Sequence, residues 1–508
     1  MQEKRALPSW LLPLLVLVYV VYFFGALRFS APGLAERDGY YHVRFAQMLP
    51  EMGVSSQFPW TVCSVWTTQY CDKEFLYHVL MIPFCRDVAE PANGARYFQV
   101  ASVLLIFATL YWVLRRNQVP WPALFLALPL CMGGDFLGRL EMIRSHVLSI
   151  SLALIGMHLL MHQRWKLLLA FGFLYAWTYS FPLVLVMFAM PYAAGQWFGG
   201  GGLDWKSPLA AFIGVALGLA IHPYSPHTYE NLMTILQDIW FGTVDAGAAI
   251  RQGDETYSYS ARHLLLRFPL YHALLAGMLL AGWRLKQKMS PQFHGVLFTA
   301  VFWHLMLMVY ARFCEYSVPL FVLALALGAR DLLRETPLEE LMLPGRPRQR
   351  IAVMIAGCLL LAAAHVHSSY MLYRDGALTA DPPRYKLAAR WLEKQTNPGD
   401  VLVNLWWHDF PELYYDCYRR RFVWGLDPSY TYRYDPETAV WLENMRKGAI
   451  PLDAKGLRKK FNARYAIFKN HSPDVNYPEM RSGAWKPVYF DKYAVIFDLQ
   501  HPEGLKAE

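Results

Sequence analysis

An aspartate at position 38 lies in Glu36–Arg37–Asp38–Gly39–Tyr40–Tyr41–His42–Val43–Arg44, just beyond the first long apolar run. A carboxylate there serves either as an N-cap for a helical stretch from Tyr41 to Met48, or as a general base or metal ligand at the mouth of a membrane cavity. A second acidic group is Asp135–Phe136–Leu137–Gly138–Arg139–Leu140–Glu141, followed directly by Arg144, Ser145 and His146. Solvation and a weak surface ion pair would account for the acids, and snorkelling for Arg144; a cation at that depth equally suits a phosphate. A third, Asp254–Glu255, follows Arg251–Gln252–Gly253 in a stretch opened by His222–Pro223–Tyr224, and reads either as a solvated turn or as part of the same site. Arg312, in Tyr310–Ala311–Arg312–Phe313–Cys314–Glu315–Tyr316, has very apolar neighbours, where an arginine needs an anion: Glu315 or a phosphate. A reaction with a phosphate leaving group needs these parts. Cations or a metal offset the charge growing on the departing phosphate, and a carboxylate activates or orients the acceptor.

To act together these groups must reach one membrane face. The chain has 508 residues, 55% hydrophobic, 16% aromatic and only 17% charged. A helix needs about 20 mostly apolar residues to cross a hydrocarbon core. Runs near 10–29, 97–114, 119–134, 145–162, 167–181, 183–198, 208–221, 265–282, 293–310, 315–329 and 351–366 meet or approach that length. They predict about eleven spans, and thirteen at most. Lys4 and Arg5 hold the N-terminus in the cytoplasm and precede a retained first helix, with no small-residue cleavage site. Arg115–Arg116, then Arg164 and Lys166, then Arg284, Lys286 and Lys288, then Arg330, Arg334, Arg346, Arg348 and Arg350 fall on that same side. The three acidic groups and Arg312 then fall on the opposite side, and the expectation is that Asp38, Glu141, Glu255 and Arg312 meet in one pocket.

The net charge of +9 belongs to cytoplasmic loops rather than to nucleic-acid binding, since no basic face with interleaved aromatics is present. Gly199–Gly202 lacks the lysine–threonine pair of a phosphate loop. The expected division is a membrane domain over 1–370, with external loops 30–95 and 222–263, and an external α/β domain over 371–508. In the latter, Tyr385–Gln395 has helical spacing and stops at Asn397–Pro398–Gly399; Val401–Leu405, Phe422–Trp424, Tyr465–Phe468 and Ala494–Phe497 read as strands, and 436–446 and 453–460 as helices. Among seven cysteines, Cys63 and Cys71 are the pair an oxidising compartment would bridge.

Asp38–Gly39–Tyr40–Tyr41–His42 resembles the first-loop aspartate motif of oligosaccharyltransferase catalytic subunits. Arg312–Phe313 with Tyr316 and Pro319 resembles their phosphate-binding arginine segment. Ala388, Arg390–Trp391–Leu392, Pro398–Gly399–Asp400–Val401 and Trp406–Trp407–His408–Asp409–Phe410 are similar to the region that opens their external domain. The resemblance implies the GT-C fold of membrane glycosyltransferases and a polyprenyl-phosphate- or diphosphate-linked sugar donor. It makes Asp38, Glu141 and Glu255 the catalytic carboxylates. Arg312, with Arg144 and His146, would hold the donor phosphate. Tyr41, Trp406, Trp407, His408 and Asp409 would face the acceptor, and Asp38, Glu141 and Asp135 would be the ligands of Mg2+ or Mn2+ if a metal is used. Arg139 stands where the family has the first acid of its second motif, so either Asp135 substitutes or no metal is needed. Trp406–Trp407–His408–Asp409–Phe410 also departs from the family's Trp-Trp-Asp-Tyr-Gly, which puts transfer to asparagine in question.

The expected function is therefore transfer of a lipid-linked sugar to a protein, glycan or lipid acceptor outside the cytoplasm, in a bacterial inner membrane with the C-terminal domain periplasmic. Protein N-glycosylation by an oligosaccharyltransferase is the alternative within that class. A transporter of lipid-linked substrates would carry charges mid-helix, whereas these sit at helix ends. A non-catalytic scaffold remains open through Arg139.

Overall fold

The computed structural model of the chain describes residues 8, 10–240, 258–285, 289–335, 347–375, 382–470, 479 and 482–503. The chain divides into two compact units, each assembled from three separate stretches. The first takes Met1–Ala31, Arg96–Leu219 and Asp254–Thr379; the second takes Pro32–Ala95, Ala220–Gly253 and Ala380–Glu508. The stretches that read as external loops thus contribute Pro32–Ala95 and Ala220–Gly253 to the unit that holds the C-terminal sheet.

The first unit is helical. Five helices among the described residues are long and apolar enough to cross a membrane: Leu11–Ser30, Pro91–Arg116, Pro291–Val309, Ala311–Arg334 and Arg348–Arg374. A bent pair, Pro122–Cys131 with Gly134–Glu141, makes a sixth if counted as one span. Ser145–Met161, Val184–Phe198 and Lys206–Ala220 are apolar but shorter. Only 22% of the apolar stretch of Leu11–Ser30 and 6% of that of Arg348–Arg374 is buried in protein. Bare Leu, Ile and Val over such lengths suit hydrocarbon and not water, so the chain is an integral membrane protein.

The helix expected near 119–134 ends at its glycine pair, and beyond it, where a loop was expected, the chain turns by 91° into a second helical arm, Gly134–Glu141. Gly133 adopts φ +127, a conformation side-chain-bearing residues rarely take, and donates its N–H to Ser368 Oγ at 3.0 Å. Gly134 lies against the helix Pro347–Arg374 so closely that a Cβ would come within 2.7 Å of Met371 Cβ and 2.8 Å of the Leu372 nitrogen. The second arm, Gly134–Glu141, is amphipathic: Phe136, Leu137 and Leu140 are buried, and so are Arg139 and Glu141.

In the second unit the strands are β1 (Val401–Asn404), β2 (Arg421–Phe422), β3 (Tyr465–Lys469), β4 (Pro487–Phe490) and β5 (Ala494–Asp498), in the order β2-β1-β3-β5-β4. β1 runs parallel to β2 and β3, while β5 is antiparallel to β3 and β4. Alternate residues enter two cores, as the two-residue strand period requires. Leu402, Phe422, Tyr465, Ile467 and Ile496 pack with Phe45, Phe58, Tyr70 and Tyr414; Val403, Val423, Ala466, Phe468 and Phe497 pack with Leu442, Met445 and Leu457. β2 stops one residue after it begins because Val423 donates its N–H to Asn404 Oδ1 at 3.1 Å and leaves the ladder. β4 has no expected counterpart: it is a half-exposed edge strand that opens on a proline. Cys63 and Cys71 are free thiols packed in different cores, so the expected bridge is not formed.

The tight seat of Gly134 makes a firm prediction. Gly134→Ala should destabilise the chain by about 1–3 kcal/mol through overpacking, read as a lower thermal midpoint in detergent. Gly25→Ala, at a glycine with nothing within 4 Å of its would-be Cβ, should leave the midpoint unchanged or slightly higher.

Candidate functional site

In the first unit the short helix Gly134–Glu141 carries three of the charges expected from sequence. Each has a counter-charge. Asp135 Oδ1 accepts from Arg267 Nη1 at 2.7 Å and the other oxygen accepts from the Tyr259 hydroxyl. Glu141 accepts from Arg28 Nε at the end of the first helix, both side chains being fully buried. Arg139 donates from Nε and Nη2 to Glu315 Oε2 at 3.2 and 3.0 Å. Glu315, three residues from Arg312 in sequence, is thus bonded by Arg139, because the bend of the pair brings helix Gly134–Glu141 against helix Cys314–Glu335.

Arg139, Arg144, His146, Arg312 and Glu315 form one cluster. Arg144 is the extended residue ahead of helix Ser145–Met161, and Arg312 sits in a tight turn, Ala311–Phe313, ahead of Cys314–Glu335. Arg139, Arg144 and Arg312 all lie close enough to His146 for their charges to act on it, and Arg312 and Arg139 act likewise on Tyr179. His146 Nε2 lies 2.9 Å from the Arg139 carbonyl, which only accepts, so Nε2 carries the proton. Nδ1 is then the acceptor that faces Arg139 Nη2 at 3.4 Å. Both ring nitrogens are engaged, so His146 orients Arg139 and is not itself a cation for phosphate. The positive edge at the start of helix Ser145–Met161 adds to the potential of the arginines. Three guanidiniums and one carboxylate thus gather around a single imidazole in apolar surroundings.

The donor set expected for Mg2+ or Mn2+ does not fit these residues. Those ions want carboxylate and water oxygens, whereas Asp135 and Glu141 each already bind a guanidinium and Arg139 stands between them.

The second unit carries Asp38 and the double-tryptophan segment. Asp38 opens the helix Asp38–Met52. Its neighbour Arg37 donates to Asp409 Oδ1 at 3.0 Å and lies 3.5 Å from Glu412 Oε1. The aspartate motif and the Trp406–Phe410 segment are therefore joined by an ion pair. Asp409 also accepts from the Tyr385 hydroxyl at 2.6 Å and is buried, so it ties the segment internally rather than facing an acceptor. Tyr41 is likewise buried, bonded to the Tyr70 hydroxyl at 2.8 Å among Phe45, Phe58 and Tyr414, and does not reach solvent. Trp406, Trp407 and His408 remain partly exposed, with Arg446 stacked 4.5 Å over Trp406. Burial, then the charges of Arg37, Arg446, Lys469 and Arg384, push the His408 imidazole down to about 3. Glu255, with Asp254, lies outside the described residues. Sequence reasoning missed Arg28 and Arg37 as partners of the motif acids; their signal was position alone, an arginine at the end of a span and one beside Asp38.

Two outcomes test this geometry. Arg139→Leu should cost up to about 3–5 kcal/mol by removing the guanidinium that bonds the buried Glu315. Arg139→Leu/Glu315→Leu should recover most of that, measured as thermal midpoint and monodisperse yield in detergent. For His408, the folded state refuses a proton until about pH 3 while the unfolded chain takes one below about 6.5. Stability should therefore fall as pH drops from 6.5 towards 3, and His408→Gln should flatten that part of a thermal-midpoint profile.

No protein-family model matches the sequence, and no curated protein matches it. Solved structures do. An Archaeoglobus fulgidus oligosaccharyltransferase, tethered to an acceptor peptide containing the NVT sequon, matches with a TM-score of 0.59 at 14% identity, covering 91% of this chain and 70% of that one. ArnT from Cupriavidus metallidurans bound to undecaprenyl phosphate matches with a TM-score of 0.57 at 14% identity over 97% of this chain and 98% of that one. Its apo form matches with a TM-score of 0.56 at 13% identity over 96% and 97%. The chain thus shares its fold with these solved structures, and the likeness agrees with the GT-C resemblance that its aspartate, arginine and double-tryptophan motifs carry.

Proposed function

We propose that the protein is a membrane glycosyltransferase that takes a sugar from a polyprenyl-phosphate-linked donor and passes it to a glycan or lipid acceptor, with no metal at the donor phosphate. The observation that carries this reading is the gathering of Arg139, Arg144 and Arg312 around His146 and Glu315 in the membrane unit. The acceptor hydroxyl attacks the anomeric carbon, the bond from that carbon to the phosphate oxygen breaks, and the lipid phosphate leaves. Arg312 and Arg144 offset the charge it gains, and Arg139, held by Glu315 and His146, fixes the field around them. Asp38 takes the proton of the acceptor hydroxyl. Likeness of fold to a protein captured with undecaprenyl phosphate supports a lipid-phosphate donor. The arginine partners of Asp135 and Glu141 support the metal-free form.

The choice of acceptor rests on the Trp406–Phe410 segment. Asp409 spends its oxygens on Arg37 and Tyr385 and has none directed to a peptide hydroxyl. Likeness to an oligosaccharyltransferase with a tethered acceptor peptide is what favours the second reading, transfer to protein asparagine.

Reconstituted protein supplied with undecaprenyl-phosphate sugars should label a glycan or lipid fraction. Asp38→Asn and Arg312→Leu should each lower that transfer about 100-fold or more while the protein stays folded. Omitting Mg2+ and Mn2+ should change nothing. Full activity in Asp38→Asn would remove the aspartate from the chemistry, and labelled asparagine in a protein fraction would establish the second reading.

A further inference from the structure

The second unit contains a buried cluster that neither the arginines nor the double-tryptophan segment uses. His42, one turn beyond Asp38 on helix Asp38–Met52, meets Glu74 and His78, which flank the start of helix Phe75–Cys85. One ligand-competent atom from each lies within 4.8 Å of the others. His42 Nδ1 is 2.8 Å from His78 Nε2 and 3.6 Å from Glu74 Oε2. The three side chains are 6%, 1% and 9% exposed for His42, His78 and Glu74, so water does not screen them.

Behind them Asp72 holds His78. Both its oxygens lie 2.9 Å from His78 Nδ1, and Oδ1 also accepts from the Glu74 N–H at 3.1 Å. A carboxylate only accepts, so Nδ1 carries the proton, and the neutral ring then turns its Nε2 lone pair towards His42 and Glu74. A carboxylate that fixes the tautomer and the tilt of an imidazole in this way is the usual support of a metal-bound histidine. The surroundings are aromatic: Tyr41, Phe45 and Tyr77 pack against the two rings. Two buried carboxylates, Asp72 and Glu74, need positive charge there. Lys73 between them is shared with Asp427 and lies over the Tyr430 ring.

We propose that His42, Glu74 and His78 bind a divalent transition-metal ion of the zinc class. Two imidazoles and a carboxylate suit zinc, which takes three protein ligands and keeps a fourth tetrahedral position for water. With bonds of about 2.0–2.1 Å, tetrahedral ligand atoms stand roughly 3.3–3.5 Å apart. The His42–Glu74 separation is close to this, and the two imidazoles part by about half an ångström when the ion enters between them. The ion ties the helix that begins at Asp38 to the segment Asp72–His78. This site stands apart from the arginine cluster, and the assignment does not rest on the proposed sugar transfer.

The test uses the full chain in detergent, free of any histidine tag, stripped with a chelator and titrated with Zn2+ and with Co2+. One equivalent should bind, with the visible absorption of tetrahedral Co2+, and stripping should lower the thermal midpoint. His78→Gln and Glu74→Gln should lose stoichiometric binding. Asp72→Asn, nearly isosteric and not itself a ligand, should weaken it about 10–100-fold while the chain remains monodisperse. Failure of the wild-type chain to take up an equivalent of either ion would overturn the assignment, leaving His42 and His78 a plain hydrogen-bonded pair. So would binding that is unchanged in His78→Gln and Glu74→Gln. Metal content is read directly, so a result on sugar transfer in either direction leaves this one unaffected.

Discussion

A charge inside a hydrocarbon layer persists only beside its opposite, and that constraint shapes the membrane unit. Helix Gly134–Glu141 brings Asp135, Arg139 and Glu141 into the protein interior, and each is answered from a different helix: by Arg267, Glu315 and Arg28. Three ion pairs thus fasten one short helix to three others. Removing one partner leaves a buried charge with nothing to offset it, a far larger loss than that of any exposed pair. The bend at Gly133 is what allows it, because a straight helix would carry those charges along a single axis. Arg144 and Arg312 then join the Arg139–Glu315 pair at His146. The arginine cluster is therefore part of the same arrangement of buried charges that fastens the helices together.

Much of the architecture was legible in the sequence because it follows from hydrophobic period. The apolar runs became helices, and four of the five strands lie where alternation and β-branched residues indicated them. What escaped depended on contacts distant in the chain. The glycine pair after the apolar run at 119–134 marks its end, but nothing local reveals that a second helix follows or that Gly134 will press on Met371. Nothing local to Glu315 reveals that Arg139, 176 residues away in the chain, will donate to it. Tyr41 and Asp409 belong to motifs that resemble recognition elements, but the first fills an aromatic core and the second anchors Arg37 and Tyr385. Residue type announces what a side chain can do; only packing decides whether it faces a ligand or a neighbour.

The second unit makes the same point in reverse. Pro32–Ala95 and Ala220–Gly253 read as loops because they interrupt spans, yet their aromatics complete one face of the sheet. Trp60, Val62 and Cys63 bond to Phe422 and Val423 and continue the sheet past its short β2 edge. The helix bearing Asp38 is held by that packing, by the Arg37–Asp409 pair one residue away and by the His42 cluster one turn away. In the proposed transfer, where Asp38 is the base, such a rigid support would hold the carboxylate in one orientation.

The helix Arg348–Arg374 has a consequence of its own. Only 6% of its apolar stretch is buried in the chain, and a span so little covered has a tilt that responds to the thickness of the bilayer as much as to its neighbours. It seats on the bent pair, where Leu361 and His365 meet Cys131 and Leu130, and where Ser368, Met371 and Leu372 hold the Gly133–Gly134 corner. The membrane itself thereby bears on the corner that presents Arg139, and host lipid composition becomes one of the forces acting on the charged cluster.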